Sequence, residues 1–408
     1  MLKQMLISLF SFRRRILVAC AFVSMILLIG ITVSFRFYGH FQGIYVLRGD
    51  TGWIELKDDL VLGDESRLIF ALPVEPVFRF LRGDVSHASS TTGLDAEWFR
   101  FDGSGFVESK FSDGSVFLTC LSRFLDSGGK ESKGLFVGGG LPFDLKSDGR
   151  ETMNETGMAF YNGSNWFHVW CNVNESISPW QNPSIIIPPS SWKFLGSAVK
   201  KNTPEELVIT SDHLVDLDGA PFKVERTAVF RAGDRYMTLA IRITNAGRFP
   251  SGYFYVYGDE PWVGNYGTSV GNVGWVRDRI IKHEGTINPQ QYGWGGYFDY
   301  GNDAIGEPHE FTGIANFIEW QAGTRPDLVY FSNRIGYYAN EKDQVPLSSA
   351  NNRVMFLQWG PRLMNPGQSD TIILSVGMAD ANPQTGFPVK PDTSVALQRL
   401  LPYLGQGS

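Results

Sequence analysis

The chain has 408 residues and a net charge of −6, a balance that excludes the basic face on which nucleic-acid binders depend. With 45 glycines, 21 prolines and aromatic residues at 14%, it suits a turn-rich β protein better than a helix bundle. Most of those rings are expected to be core material.

In chain order, the first distinctive stretch is Ile16–Phe35, twenty residues without a charge. That is the length a helix needs to cross the hydrocarbon core of a bilayer. Lys3, Arg13, Arg14 and Arg15 precede it and only Arg36 follows closely, so the positive-inside rule puts residues 1–15 in the cytoplasm. A cleaved signal peptide would have a shorter apolar stretch and a small-x-small cleavage site. The reading is therefore an uncleaved anchor at 16–35, crossing once, with residues 36–408 outside. The outside is a bacterial periplasm or the cell surface; a Golgi-type lumen is the alternative. Of the three cysteines, Cys20 lies in the apolar run, leaving Cys120 and Cys171. An oxidising compartment permits a disulfide between them, and two separate thiols is the other reading.

The exported part reads as strands and turns. Ser115–Leu121 is the first strand. Met158–Tyr161 and Trp166–Asn172 flank a turn at Asn162-Gly163-Ser164-Asn165, placing Trp166, His168 and Trp170 on one face. Phe222–Phe230 and Arg235–Thr244 form a hairpin across Arg231-Ala232-Gly233-Asp234. In the second of these, Met237, Leu239, Ile241 and Ile243 alternate with Thr238, Ala240, Arg242 and Thr244, so one set faces a core. Tyr253–Tyr257, Asp327–Ser332, Arg353–Trp359 and Thr371–Met378 are further strands. One short helix is expected at Asp392–Leu401, capped by Asp392 or Thr393, with Val395, Leu397 and Leu401 inward and Pro402 ending it. Ser127–Glu155 and Gly258–Gly306 read as long loops, and loops of that length are often functional.

The segment Asp218–Gly247, DGAPFKVERTAVFRAGDRYMTLAIRITNAG, resembles a hairpin of the galactose mutarotase-like supersandwich: a strand, a Gly-Asp turn, then a long strand running to an Asn-x-Gly corner. The resemblance covers about thirty residues. It implies an all-β fold, a large antiparallel β-sandwich, and a leaning towards carbohydrate; it implies no activity. The epimerase branch pairs histidines with an acidic base. His168 and His283 do not sit in that motif, so no catalytic residue is carried over.

Sugar sites combine flat aromatic faces with planar polar groups, and acid–base chemistry adds a carboxylate pair or a histidine with a carboxylate. Between Gly258 and Glu310 the ligand-binding candidates are Trp262, Trp275, Arg277, Asp278, Trp294, Tyr297 and Asp299. The catalytic candidates are His283, Glu284, His309 and Glu310. Trp166, His168 and Trp170 are a second ligand candidate, or else a core stripe. The His-Glu pairs lack the spacing of a zinc helix, and Asp299–Asp303 lacks the ligand number of a calcium loop. No metal or cofactor is expected.

The resulting expectation is a membrane-anchored, extracytoplasmic carbohydrate-binding or envelope-glycan assembly protein without chemistry of its own. A glycan-active enzyme (lyase, epimerase or hydrolase) using the 258–310 region and a structural partner in a membrane complex are the alternatives. The expected partners are the membrane, a glycan and a protein of the envelope.

Overall fold

The structure, a computed structural model, describes residues 44–48, 52–55, 66–70, 85–89, 93–99, 103, 105–121, 157–161, 163, 166–170, 176–179, 191–263, 272–299, 315–332, 347, 354–381 and 387–404. The chain divides into two compact units, Met1–Gly83 and Asp84–Ser408. In the first, β1 (Ile44–Arg48) is flanked by β2 (Gly52–Glu55) and β3 (Ser66–Phe70), both antiparallel to it. The expected tail and anchor, residues 1–35, lie outside the described residues. Among the described residues no helix is long and apolar enough to cross a membrane.

The second unit holds two large sheets. Its strands begin with β4 (Val85–Ser89), β5 (Leu94–Phe99), β6 (Gly105–Lys110), β7 (Val116–Leu121), β8 (Gly157–Tyr161), β9 (Trp166–Trp170) and β10 (Ser176–Pro179). Four long strands and their neighbour follow: β11 (Ser191–Asn202), β12 (Glu206–Leu217), β13 (Ala220–Arg231), β14 (Tyr236–Asn245) and β15 (Ser251–Trp262). Then come β16 (Asn272–Val276), β17 (Arg279–Ile281), β18 (Gly285–Ile287), β19 (Trp294–Asp299) and β20 (Ala315–Trp320). The last are β21 (Leu328–Ser332), β22 (Val354–Met364), β23 (Ser369–Ala381), β24 (Pro388–Val389) and the helix α1 (Ala396–Leu404). One sheet runs β18-β21-β22-β15-β9-β8-β7-β6-β5-β4, with β10 beside β15; the other runs β11-β12-β13-β14-β23-β20-β19-β16-β17, with β24 beside β23. Every strand pairing among the described residues is antiparallel.

The inner faces of the two sheets pack on one another. On β13, Phe222, Val224, Ala228 and Phe230 are buried while Lys223, Glu225 and Thr227 between them are not. This period of two is what a strand with one covered face requires. Rings tie the sheets together: Phe222 lies 5.6 Å from Tyr253 of β15, and Tyr297 of β19 lies 5.3 Å from Phe331 of β21. The Tyr297 hydroxyl donates to the Ser332 carbonyl at 3.0 Å, giving the buried phenol its partner.

Each expected strand is present, and the hairpin across Arg231–Asp234 pairs β13 with β14 in continuous register from Phe222↔Asn245 to Phe230↔Met237. Two expectations are corrected. Gly258–Gly306 is not one long loop, because its first residues extend β15 and Asn272–Asp299 carries β16 to β19. Gly274, Gly295 and Gly296 mark close packing instead of turns: a Cβ on Gly296 would lie 2.0 Å from the Asn316 carbonyl oxygen. The helix also starts later than expected and runs through Pro402. Asp392 accepts from the Ser394 N–H, and Ala396 N–H bonds the Thr393 carbonyl, so the first helical turn begins beyond the expected cap. Val395 and Leu401 are exposed; Ala396 and Leu400 are buried, with Leu397 packed beside Leu400. Leu400 closes an apolar patch of Val208, Val229, Ala240 and Ile373 on the outer side of the second sheet. That patch is why β14 is buried on both faces over its first half.

Candidate functional site

Beyond the part covered by α1, the outer face of the second sheet is polar. There β11 to β14 and the start of β23 line a groove of about 650 Å³. Its floor is set by strand register. Asp212 on β12 stands opposite Glu225 on β13, and Glu225 opposite Arg242 on β14. One row away, Thr210 faces Thr227; on the other side Lys223 faces Thr244, and Thr244 faces Ser369. β11 supplies a wall, through Gly196, Ser197, Ala198 and Lys200. It is bulged at Phe194/Gly196 and again at Val199/Lys201, and bulges bend and twist an edge strand. Tyr403 of α1 also borders the groove.

The floor is ordered by its own bonds. Lys223 Nζ donates to Glu225 Oε1 at 2.8 Å and lies 3.6 Å from Asp212 Oδ2. The bond to Glu225 raises the Lys223 pKa above that of an ordinary lysine; partial burial opposes this and Asp212 adds to it. Thr244 and Ser369 share a hydrogen bond at 2.7 Å, and Thr210 donates to the Ala198 carbonyl at 3.3 Å. At the end of the groove Tyr403 reaches Glu206 at 3.4 Å, and Glu206 also holds Lys201 at 2.9 Å.

Directly beneath this floor the inner phase of the same strands carries a second polar set. His213 is fully buried. Trp192 Nε1–H donates to its Nδ1 at 3.2 Å. An indole N–H only donates, so the neutral ring keeps its proton on Nε2, which lies 3.0 Å from Ser211 Oγ. Arg226, the cross-strand neighbour of Ser211, is also fully buried and sits 5.1 Å over the Trp192 ring. Burial lowers its pKa to about 10 while the nearby Tyr255 and Tyr257 act the other way, so at neutral pH it stays a cation stacked on an indole.

The residues expected to form a site are distributed differently. Trp275 and Tyr297 are core residues with no exposed ring face. Trp275 donates to the Asn316 carbonyl at 3.1 Å and packs edge-on against Trp294 at 4.4 Å, while Trp294 stays partly exposed. Arg277 and Asp278 are exposed in the turn from β16 to β17, Arg277 at a φ of 52°. Arg277 lies 5.9 Å over the Tyr292 ring, whose hydroxyl accepts from Arg279 at 3.4 Å. His283 is exposed and Glu284 buried, 3.4 Å from the Ser332 hydroxyl. These neighbours in sequence therefore do not share one solvent space. Trp262 pairs in register with His168, and Glu260 with Trp170, which places β9 beside the end of β15. Asp299 ends β19 and Cys120 lies on β7. His309, Glu310 and Cys171 lie outside the described residues. Among the described residues no group of three or more His, Cys, Asp or Glu is placed to hold a metal ion.

The groove residues Asp212, Glu225 and Arg242 went unread in the sequence because each looks like an ordinary solvated strand residue; only register unites them. His213 and Arg226 carried a local signal, a polar residue on the apolar phase of an alternating strand.

No family model matches the sequence, and no curated protein matches it. Solved structures that the chain is similar to include an aldose epimerase homologue, a galactose mutarotase-like protein and an α-galactosidase. An aldose epimerase homologue from C. elegans is 10% identical, with 73% of this chain and 99% of that one covered at a TM-score of 0.35. A galactose mutarotase-like protein from Clostridium acetobutylicum is 7% identical, with coverage of 73% and 98% at 0.31. An α-galactosidase from Geobacillus stearothermophilus is 8% identical, with coverage of 73% and 41% at 0.32.

Proposed function

We propose that the chain is a membrane-anchored, extracytoplasmic carbohydrate-binding protein, serving envelope-glycan assembly without chemistry of its own, and that the outer groove is its ligand site. The observation that carries this reading is the lining of the groove. Its volume falls within the roughly 300–1,000 Å³ usual for small-ligand sites, yet its floor is made of hydroxyls, two carboxylates, an ammonium and a guanidinium. A ligand that repays burial there presents many donors and acceptors at short spacing, as a sugar does. Tyr403 offers an aromatic ring at the border.

The same geometry argues against turnover at this groove. Glycoside chemistry needs one carboxyl to give a proton while another stays ionised. Here both carboxylates lie within reach of one ammonium, and that ammonium holds its proton more tightly than a free lysine. The anchor at 16–35, with the tail inside, completes the proposal.

The test is a glycan array on the full-length protein in detergent, with product analysis of every bound glycan, alongside protease accessibility in intact cells. Binding without turnover is expected. Asp212→Ala and Tyr403→Ala should each weaken binding about tenfold, or about 1.4 kcal/mol. A converted glycan would make the protein an enzyme. Binding that is indifferent to both substitutions would remove the groove as its site.

A further inference from the structure

The groove holds more cationic charge than its own carboxylates use. Glu225 is the register neighbour of Arg242, yet it accepts from Lys223 at 2.8 Å, and Asp212 lies near the same ammonium at 3.6 Å. Among the described residues Arg242 has no ion-pair partner, although it is half-buried on the floor. Lys200, exposed on the bulged wall, has none either. Arg226 also borders the groove, but its side chain is fully buried and is not among the groups a ligand meets. Three cations, Lys200, Lys223 and Arg242, therefore face two anions, Asp212 and Glu225. The groove is net positive on a chain whose net charge is −6.

A guanidinium presents a planar fork of donors that matches a carboxylate two-to-two, and partial burial strengthens such a pair. A sheet floor holds the fork in place before the ligand arrives, and an exposed lysine at the wall steers an anion inward. We infer that the groove takes an acidic sugar, with Arg242 clamping the carboxylate of a uronate residue and the Thr227 and Thr244 hydroxyls meeting the ring. This inference rests on the carbohydrate-binding reading and adds the ligand class to it.

The experiment titrates full-length protein in detergent, by calorimetry, with a uronate oligosaccharide, its carboxyl-reduced neutral counterpart and a sulfated form of that counterpart. Thermal midpoints of all variants are measured in parallel. The uronate should bind about tenfold tighter than the neutral glycan. Arg242→Gln should abolish that preference, and Arg242→Lys should weaken it because an ammonium cannot engage both oxygens. Lys200→Ala, at an exposed position, should lower uronate affinity and its salt sensitivity by a smaller factor. Equal binding of neutral and acidic glycans would overturn the inference and leave the groove a carbohydrate site. A uronate preference that survives both Arg242 substitutions would remove Arg242 from its role. Equal or tighter binding of the sulfated form would make charge alone the determinant and overturn the carboxylate assignment. Binding of none of the three would overturn the carbohydrate reading itself.

Discussion

Gly296 sits where β19 presses on β20. A Cβ there would lie 2.0 Å from the Asn316 carbonyl oxygen and 2.9 Å from Trp275 Nε1. The same carbonyl accepts the Trp275 N–H, and the Asn316 side chain accepts the Tyr297 N–H at 2.7 Å. A methyl group at Gly296 therefore pushes on backbone and on two buried hydrogen bonds at once. Overpacking of this kind costs about 1–3 kcal/mol, with more added if a buried donor is stranded. Gly296→Ala should lower the denaturation midpoint by at least that amount, whereas Gly163→Ala, with nothing near its Cβ but a φ of +96°, should be limited to backbone strain. If both substitutions prove equally mild, close approach is not what Gly296 is for. In the sequence this glycine was indistinguishable from a loop glycine, since the pressure on it comes from a strand some twenty positions away.

At the level of elements, strands were legible and their neighbours were not. The alternation of Met237, Leu239, Ile241 and Ile243 fixed β14 and its inner face, and the Gly233-Asp234 turn fixed its pairing with β13. From that register alone Glu225↔Arg242 followed. Asp212 required the next hairpin as well, whose turn is Asp218-Gly219 with Asp218 at a φ of 57°. The short strands β16 to β19 escaped because three to six residues are too few to show a period, and β16 and β19 interleave Gly with Trp. The helix was misplaced because Pro402 was given its usual weight as a terminator. It forfeits only the one bond that its N–H would give the Gln398 carbonyl, and Tyr403 and Leu404 beyond it still pack on the outer apolar patch. Two outcomes follow for α1. Leu400→Ala removes a fully buried side chain from Val208, Val229, Ala240 and Ile373 and should cost about 2–5 kcal/mol. Pro402→Ala, at an exposed position, should stabilise the protein by about 1 kcal/mol, since proline in a helix is disfavoured by up to ~3 kcal/mol. Chemical denaturation of the two variants decides both, and a destabilising Pro402→Ala would show that the ring holds the helix end in place.

For the β-sandwich unit as a whole, alkaline pH is the condition that should unfold it. Burial raises the pKa of Tyr236 to about 12, and it pushes Tyr253 and Tyr255 higher still. A phenol whose folded pKa lies above its unfolded value stabilises fully below the unfolded value, near 10. That stabilisation is lost as pH rises, because the unfolded chain ionises first. Lys223 and Lys201, raised above 10.5 by their bonds to Glu225 and Glu206, act in the same direction, more weakly because they are well solvated. Arg226 acts the other way. Its folded pKa is lowered to about 10, so between 10 and its ordinary value the folded state sheds a proton that the unfolded chain keeps, and stability gains. Three tyrosines outweigh one arginine, and two of them, Tyr253 and Tyr255, belong to the main core of the sandwich. Unfolding free energy measured against denaturant should stay nearly level to about pH 10 and fall steeply above it. Tyr253→Phe, which removes the hydroxyl that donates to Asp370 at 2.9 Å, should make the fall shallower while costing about 1 kcal/mol near neutrality. A profile that stays flat through pH 12 in the wild-type chain would mean that these phenols reach water before the sandwich opens.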